Sequence, residues 1–150
     1  MLRAILLATL ILGSHMAVSA QKVKTEAGIR PDFVVHVRSS PAWAEILLRR
    51  TELEADLESL ILEYTEDFPK VKESRYELEV LNKYAATLLL IKPAESSKLT
   101  LALGKLLVRK ADIETDLWKL QQSYADGHPD VKRAKRRLEI YEKAIKEILG

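Results

Sequence analysis

Apolar residues recur at alternating intervals of three and four along four stretches of this chain. The first stretch runs through Trp43, Ile46, Leu53, Leu57, Leu60 and Tyr64, the second through Val71, Leu78, Leu81, Ala85 and Leu88. The third runs through Leu103, Leu106, Ile113, Leu117, Leu120 and Tyr124, the fourth through Val131, Ala134, Leu138, Tyr141, Ile145 and Ile148. An α-helix brings residues three and four apart onto one side, so each set predicts a helix with one apolar stripe, close to a heptad seam. The interruptions carry helix boundary signals. Ser40-Pro41 offers an N-cap followed by proline at the first helical position. Thr65 to Phe68 forms a turn before Pro69, and Asp126-Gly127-His128 forms one before Pro129. Proline opens a helix well and continues one badly. Lys92-Pro93-Ala94-Glu95 ends the second stretch, and Ser96 or Ser97 can cap the third.

The second pair of stretches repeats the first. With an offset of sixty residues and no gap, residues 44–89 match 104–149 at fourteen of forty-six positions. Shared periodicity could align leucines, but it would not also align Tyr64 with Tyr124, Pro69 with Pro129, Val71 with Val131 and Leu78-Glu79 with Leu138-Glu139. A duplicated unit of two helices joined by a short turn follows. Two amphipathic helices so joined lie antiparallel. The predicted fold class is therefore all-α, with two tandem antiparallel helical hairpins over residues 43–92 and 93–150. Stacked on each other, they would close a four-helix core; the same surfaces could equally pair between chains. Charge is unevenly divided between them. Residues 44–90 hold eleven acids against six bases, and residues 104–150 hold eleven bases against eight acids. That asymmetry favours pairing of the hairpins, although single surface pairs contribute less than about 1 kcal/mol.

The first forty-two residues read differently. Met1-Leu2-Arg3, an apolar run from Ala4 to Leu12, and the small residues of Val18-Ser19-Ala20 fit a secretory signal peptide over 1–20, cleaved near Ala20. The run is too short to span a bilayer, which takes about 20 apolar residues. With no Cys in the chain, lipid attachment after the run is excluded, and disulfides play no part in holding the fold. A periplasmic or secreted location is expected. Residues 21–42 contain Gly28, Pro31 and Pro41 and one β-prone run, Phe33 to Val37. They read as an extended arm or linker. The run either packs on the bundle or adds to a partner's edge, or the segment has little fixed structure.

Candidate chemistry is sparse. Nucleophilic catalysis needs Ser or Cys beside His and an orienting acid, and no such set is spaced for it. His128 stands where the first copy has Phe68, which suits a turn residue better than a catalyst. No His or Cys cluster has metal-ligand spacing and no glycine-rich phosphate loop occurs, so no cofactor is expected. The basic run Lys132, Arg133, Lys135, Arg136 and Arg137 could hold acidic polysaccharide, a membrane surface or a protein partner. Its plainer reading is a solvated helix face, since the core stripe passes through Val131, Ala134 and Leu138. Near-neutral overall charge, +2 for the whole chain, argues against nucleic acid. Arg50 and Lys110 interrupt equivalent stripes. Either each forms an ion pair that sets register, with Glu54 or Glu114, or its stem lies on the core edge and its charge reaches water.

The segment Tyr124 to Val131, with His128-Pro129-Asp130-Val131 followed by Leu138, resembles a motif of bacterial polysaccharide chain-length determinant and exopolysaccharide transport proteins. In them it occurs in long periplasmic coiled-coil helices. Tyr64, Pro69 and Val71 match it more loosely. The resemblance covers the hairpin regions only and implies a helical hairpin in the periplasm near polysaccharide export machinery. It implies no catalytic residue. Those proteins carry two membrane spans, and many a cytoplasmic kinase domain; neither is matched here. A fainter resemblance, from Leu47 to Glu77, is to small secreted helical chorismate mutases. Such an enzyme needs inward cations around a dicarboxylate, a place only Arg50 and Lys110 could fill. The expectation is an exported, non-enzymatic scaffold or interaction module. The alternatives are a periplasmic chaperone that uses Leu47, Ile61, Leu62, Leu89 and Leu90, and the small enzyme.

Overall fold

The computed structural model describes residues 31–150. The signal-like segment 1–20, its exit at Ala20 and the 21–30 part of the expected arm lie outside the described residues. The described residues form helices and no strand. In order they are α1 (Pro31–Arg38), α2 (Pro41–Glu63), α3 (Pro69–Leu89), a 3-10 turn (Pro93–Lys98), α4 (Leu101–Ser123) and α5 (Pro129–Leu149).

Two boundary expectations need correction. Residues 31–38 are not an extended arm, because Pro31 opens α1 and Phe33 to Val37 is helical. That run turns Val37 wholly inward onto α2 and α3, with Phe33 packed beside it. Burial of Val37, with Phe33 packed beside it, outweighs the modest strand preference of β-branched residues, which spans only about 1 kcal/mol. The second correction concerns α4. Ser96 and Ser97 lie inside the 3-10 turn, and Thr100 caps the helix, its hydroxyl accepting from the Leu103 N–H at 3.2 Å. The Ser40 cap forms as read. Its hydroxyl accepts from Trp43 N–H at 3.3 Å and donates to the Val37 carbonyl at 2.6 Å, tying α1 to α2.

Chain direction reverses across each turn. Arg49 on α2 meets Glu77 on α3 at 2.7 Å, and Lys110 on α4 meets Glu142 on α5 at 3.3 Å. In contrast, α2 and α4 run side by side in the same sense. The Ala42 N–H donates to the Leu99 carbonyl at 3.3 Å at one end, and Arg49 reaches Asp112 at 3.7 Å farther along. Gly104 permits this contact. A Cβ built there would meet Ala42 Cα at 2.9 Å and Glu45 Cβ at 2.8 Å. No side chain fits so close to a backbone.

Because α4 receives α2, α3 and α5 together, it is the centre of the fold. The continuous core runs from Ile46, Leu53, Val80, Leu81 and Leu88 to Leu103, Leu107 and Ala111. The four long helices do not share the core equally, and α5 adds only partly buried residues, Ile145, Ile148 and Leu149, to its edge. α5 packs mainly on α4 and the 3-10 turn. Only Val131 and Ala134 of α5 are buried, and Leu138, Tyr141, Ile145 and Ile148 are half-buried.

Candidate functional site

The two turns are built alike. In each, the residue after the helix (Tyr64, Tyr124) donates its N–H to the carbonyl four back, at 2.8 Å. Phe68 N–H then donates to Thr65 at 3.0 Å, and His128 N–H to Ala125 at 2.9 Å. Each tyrosine ring stacks on the residue before the proline. Tyr64 lies on Phe68 and Tyr124 on His128, both with centroids 4.1 Å apart. Val71 and Val131 are wholly buried behind the turns, and Pro69 and Pro129 open the helices. A flat imidazole stacks as a flat phenyl does, so the Phe/His exchange leaves the turn intact. His128 has a further contact, since its Nδ1 accepts from the Asp130 N–H at 3.2 Å. As α2 and α4 run the same way, the hairpin-tip residues Tyr64, Pro69, Tyr124, His128 and Pro129 lie at one end of the molecule. Both tyrosines are exposed.

The basic residues of α5 divide into two sets. Arg133 pairs with Asp130, and Lys135 with Asp126 at 2.9 Å. Those bases hold both carboxyls below the usual carboxylate range, Lys135 by hydrogen bonding to Asp126 and Arg133 to Asp130. Lys132, Arg136 and Arg137 make no ion pair among the described residues and face outward. Arg133, Arg137, Lys119 and Tyr124 line a groove of about 460 Å³ between α4 and α5 together with Asp116 and Asp130.

Arg50 and Lys110 do not share a cavity. Arg50 reaches Glu54 at 3.4 Å, and its Nε is buried without a hydrogen-bond partner. Lys110 lies deeper. It pairs with Glu114 at 3.0 Å and Glu142 at 3.3 Å, over the Tyr84 ring at 5.0 Å. The Tyr84 hydroxyl donates to Glu114 at 2.7 Å, and burial, then that carboxylate, push its ionisation upward. Both cations thus form the ion pair read from the sequence, Arg50 with Glu54 and Lys110 with Glu114, and Lys110 also reaches a second helix through Glu142.

A cluster not foreseen from the sequence lies in a cleft of about 610 Å³ between α2, α3 and α4. Arg49 contacts Glu77, Glu52 at 3.5 Å and Asp112 at 3.7 Å. Glu77 is buried, and burial raises its carboxyl above the ordinary range against the pull of Arg49. The signal was present, since Arg49 and Arg109 are identical across the repeat. A helical wheel alone does not say which of two adjacent arginines meets a neighbouring helix. Across the same junction Lys119 pairs with Glu73 at 2.9 Å and Tyr76 stacks on Trp118 at 4.8 Å.

Two helix faces remain uncovered. On α2 these are Leu47, Leu48, Ile61 and Leu62, the last 86% exposed, and on α5 the main apolar residue is Ile140 at 66%. No group of three metal-ligating side chains forms among the described residues, and no described helix is long and apolar enough to cross a membrane. Set beside known proteins, the chain matches no protein-family model, no curated protein and no solved structure.

Proposed function

We propose that this chain is a non-enzymatic helical scaffold, two tandem hairpins in one unit, that docks protein partners through the uncovered faces of α2 and α5. One observation carries the reading. Leu47, Leu48, Ile61 and Leu62 gather on α2, whose opposite side buries Ala42, Ile46 and Leu53, and Ile140 stands open on α5. Clustered exposure of that kind marks contact surfaces, whereas isolated exposed leucines do not. The test is a photo-crosslinking amino acid placed in turn at Leu48, Leu62 and Ile140, with Glu79 and Lys143 as exposed polar controls. Adducts confined to the apolar positions are the expected result. Equal labelling at all five sites would overturn the proposal.

Placement in the bacterial cell envelope rests on the signal-like pattern of residues 1–20 and on the tip motif's resemblance to polysaccharide export proteins. Fractionation should find the chain outside the cytoplasm, shortened near Ala20. A full-length cytoplasmic chain would remove this part of the reading. Acidic polysaccharide or an anionic membrane surface is a secondary ligand class, and Lys132, Arg136 and Arg137 are the bases free to take it. A periplasmic chaperone is favoured by one further feature, the strong exposure of Leu62 and Leu90. Suppression of aggregation of an unfolded client, lost in Leu62→Ser with Leu90→Ser, would support it.

A further inference from the structure

The junction between the two repeats joins unlike faces, so the chain leaves one copy of each face unused. Within the chain, the first repeat offers Ala42, Glu45, Ile46 and Arg49 on α2, with Val80 and Tyr76 on α3. On α4 of the second repeat, Gly104 meets Ala42 and Glu45, Leu107, Val108 and Ala111 share one core with Ile46 and Val80, and Thr115 lines the cleft beside Arg49. Four of those five α4 residues are buried, and Val108 is half-buried. Their counterparts sixty residues earlier are Ala44, Leu47, Leu48, Thr51 and Ala55, and all five are exposed. The offering face has the opposite fate. Ala42 is buried and Ala102 exposed; Glu45 and Arg49 are half-buried, whereas Lys105 and Arg109 are exposed. Val80 is 3% exposed and its counterpart Ile140 is 66% exposed.

We infer that a second copy of this chain docks here head to tail, its α2 outer face receiving the free α4 and α5 face of the first. This rests on the interaction-module reading and names the partner. Charge supports it. Arg49 pairs with Glu52 three residues on and also crosses to Asp112 of the next repeat. Arg109 makes the same local pair, with Asp112 at 3.2 Å, and its crossing partner would be Glu52 of the second copy. The Tyr76–Trp118 stack of the internal junction becomes Arg136 facing Glu58 of the second copy, an opposite-charge pair. The uncovered α5 face is basic and the first repeat acidic, so complementary charges meet. Ala44 replaces Gly104, so the docked helices stand slightly farther apart than α2 and α4 do. Contacts between unlike faces propagate, closing into a ring or running on as a filament according to the rotation at each step.

Two variants test this in the full chain. Leu48→Glu spoils the receiving face and Ile140→Glu the offering face; both sites are exposed, so the folded chain is retained, as circular dichroism would verify. The wild type should gain mass with concentration in analytical ultracentrifugation, and each variant alone should lose that gain. Mixed, the two variants should form a one-to-one dimer and nothing larger, because one intact face of each kind remains. A wild type that is monomeric throughout would overturn the inference, as would single variants that still associate. Folded variants that fail to pair when mixed would overturn it too. If a monomeric wild type still crosslinks from Leu48 and Ile140 to another protein, self-docking fails and the interaction-module reading stands.

Discussion

Helices α3 and α5 occupy the same place in their repeats and have the same length, 21 residues. Each begins with proline after a stacked aromatic turn, and each buries its valine at the third position. Beyond that they diverge. Val71, Ser74, Glu77, Val80, Leu81, Ala85 and Leu88 of α3 are buried, but only Val131 and Ala134 of α5 are. The reason is what stands next to them. α3 lies against both α2 and α4, whereas α5 has α4 and a 3-10 turn. The aligned sequences carry the same stripe in both helices, and the number of neighbours decides how much of it leaves water.

Breaking the junction that creates this difference should have the largest effect. Gly104→Leu forces a side chain into the Ala42 backbone and should cost about 3 kcal/mol in urea unfolding. Ala44→Leu, its counterpart on the open face, should change monomer stability by less than about 0.5 kcal/mol. Next comes the pair of helices itself. Leu81→Ala leaves a cavity at a fully buried site and should cost about 3 kcal/mol. Ile140→Ala should stay within about 0.5 kcal/mol, measured at a concentration where the chain is monomeric. Comparable losses at both sites would mean that α5 is buried in solution.

The charged clasp should give a smaller, pH-dependent effect. Burial raises the Glu77 carboxyl in the native state above its ordinary value of 4.5. A group raised in this way stabilises the fold below its unfolded value, and that contribution is lost as the pH rises through the native value. Glu77→Gln removes the step, so Tm should fall less for the variant than for the wild type between about pH 4 and pH 7. An identical slope in both proteins would show that Arg49 compensates for the burial in full. Smallest of all should be the exchange at the tips. Phe68→His and His128→Phe each keep a stacked ring and should alter stability by less than about 1 kcal/mol.

Helix periodicity, the four proline and cap signals, and the sixty-residue repeat were all legible in the chain itself. They are local properties, set by 3.6 residues per turn and by the missing N–H of proline. They predicted α2 to α5 and both turns. Local reasoning failed where a distant neighbour decided the outcome. Phe33 to Val37 has the composition of a strand but forms α1, with Val37 buried against α2 and α3. The Ser96-Ser97 cap gave way to Thr100, one of several capping residues close together. Arg50 stands on the stripe, yet it is Arg49 that joins three helices, through carboxylates on α2, α3 and α4. What the sequence by itself determined was the four long helices α2 to α5 and the sixty-residue repeat that relates them. Only the tertiary structure decided which copy of each face is covered, because burial depends on which helix lies opposite, and the two repeats meet through unlike sides.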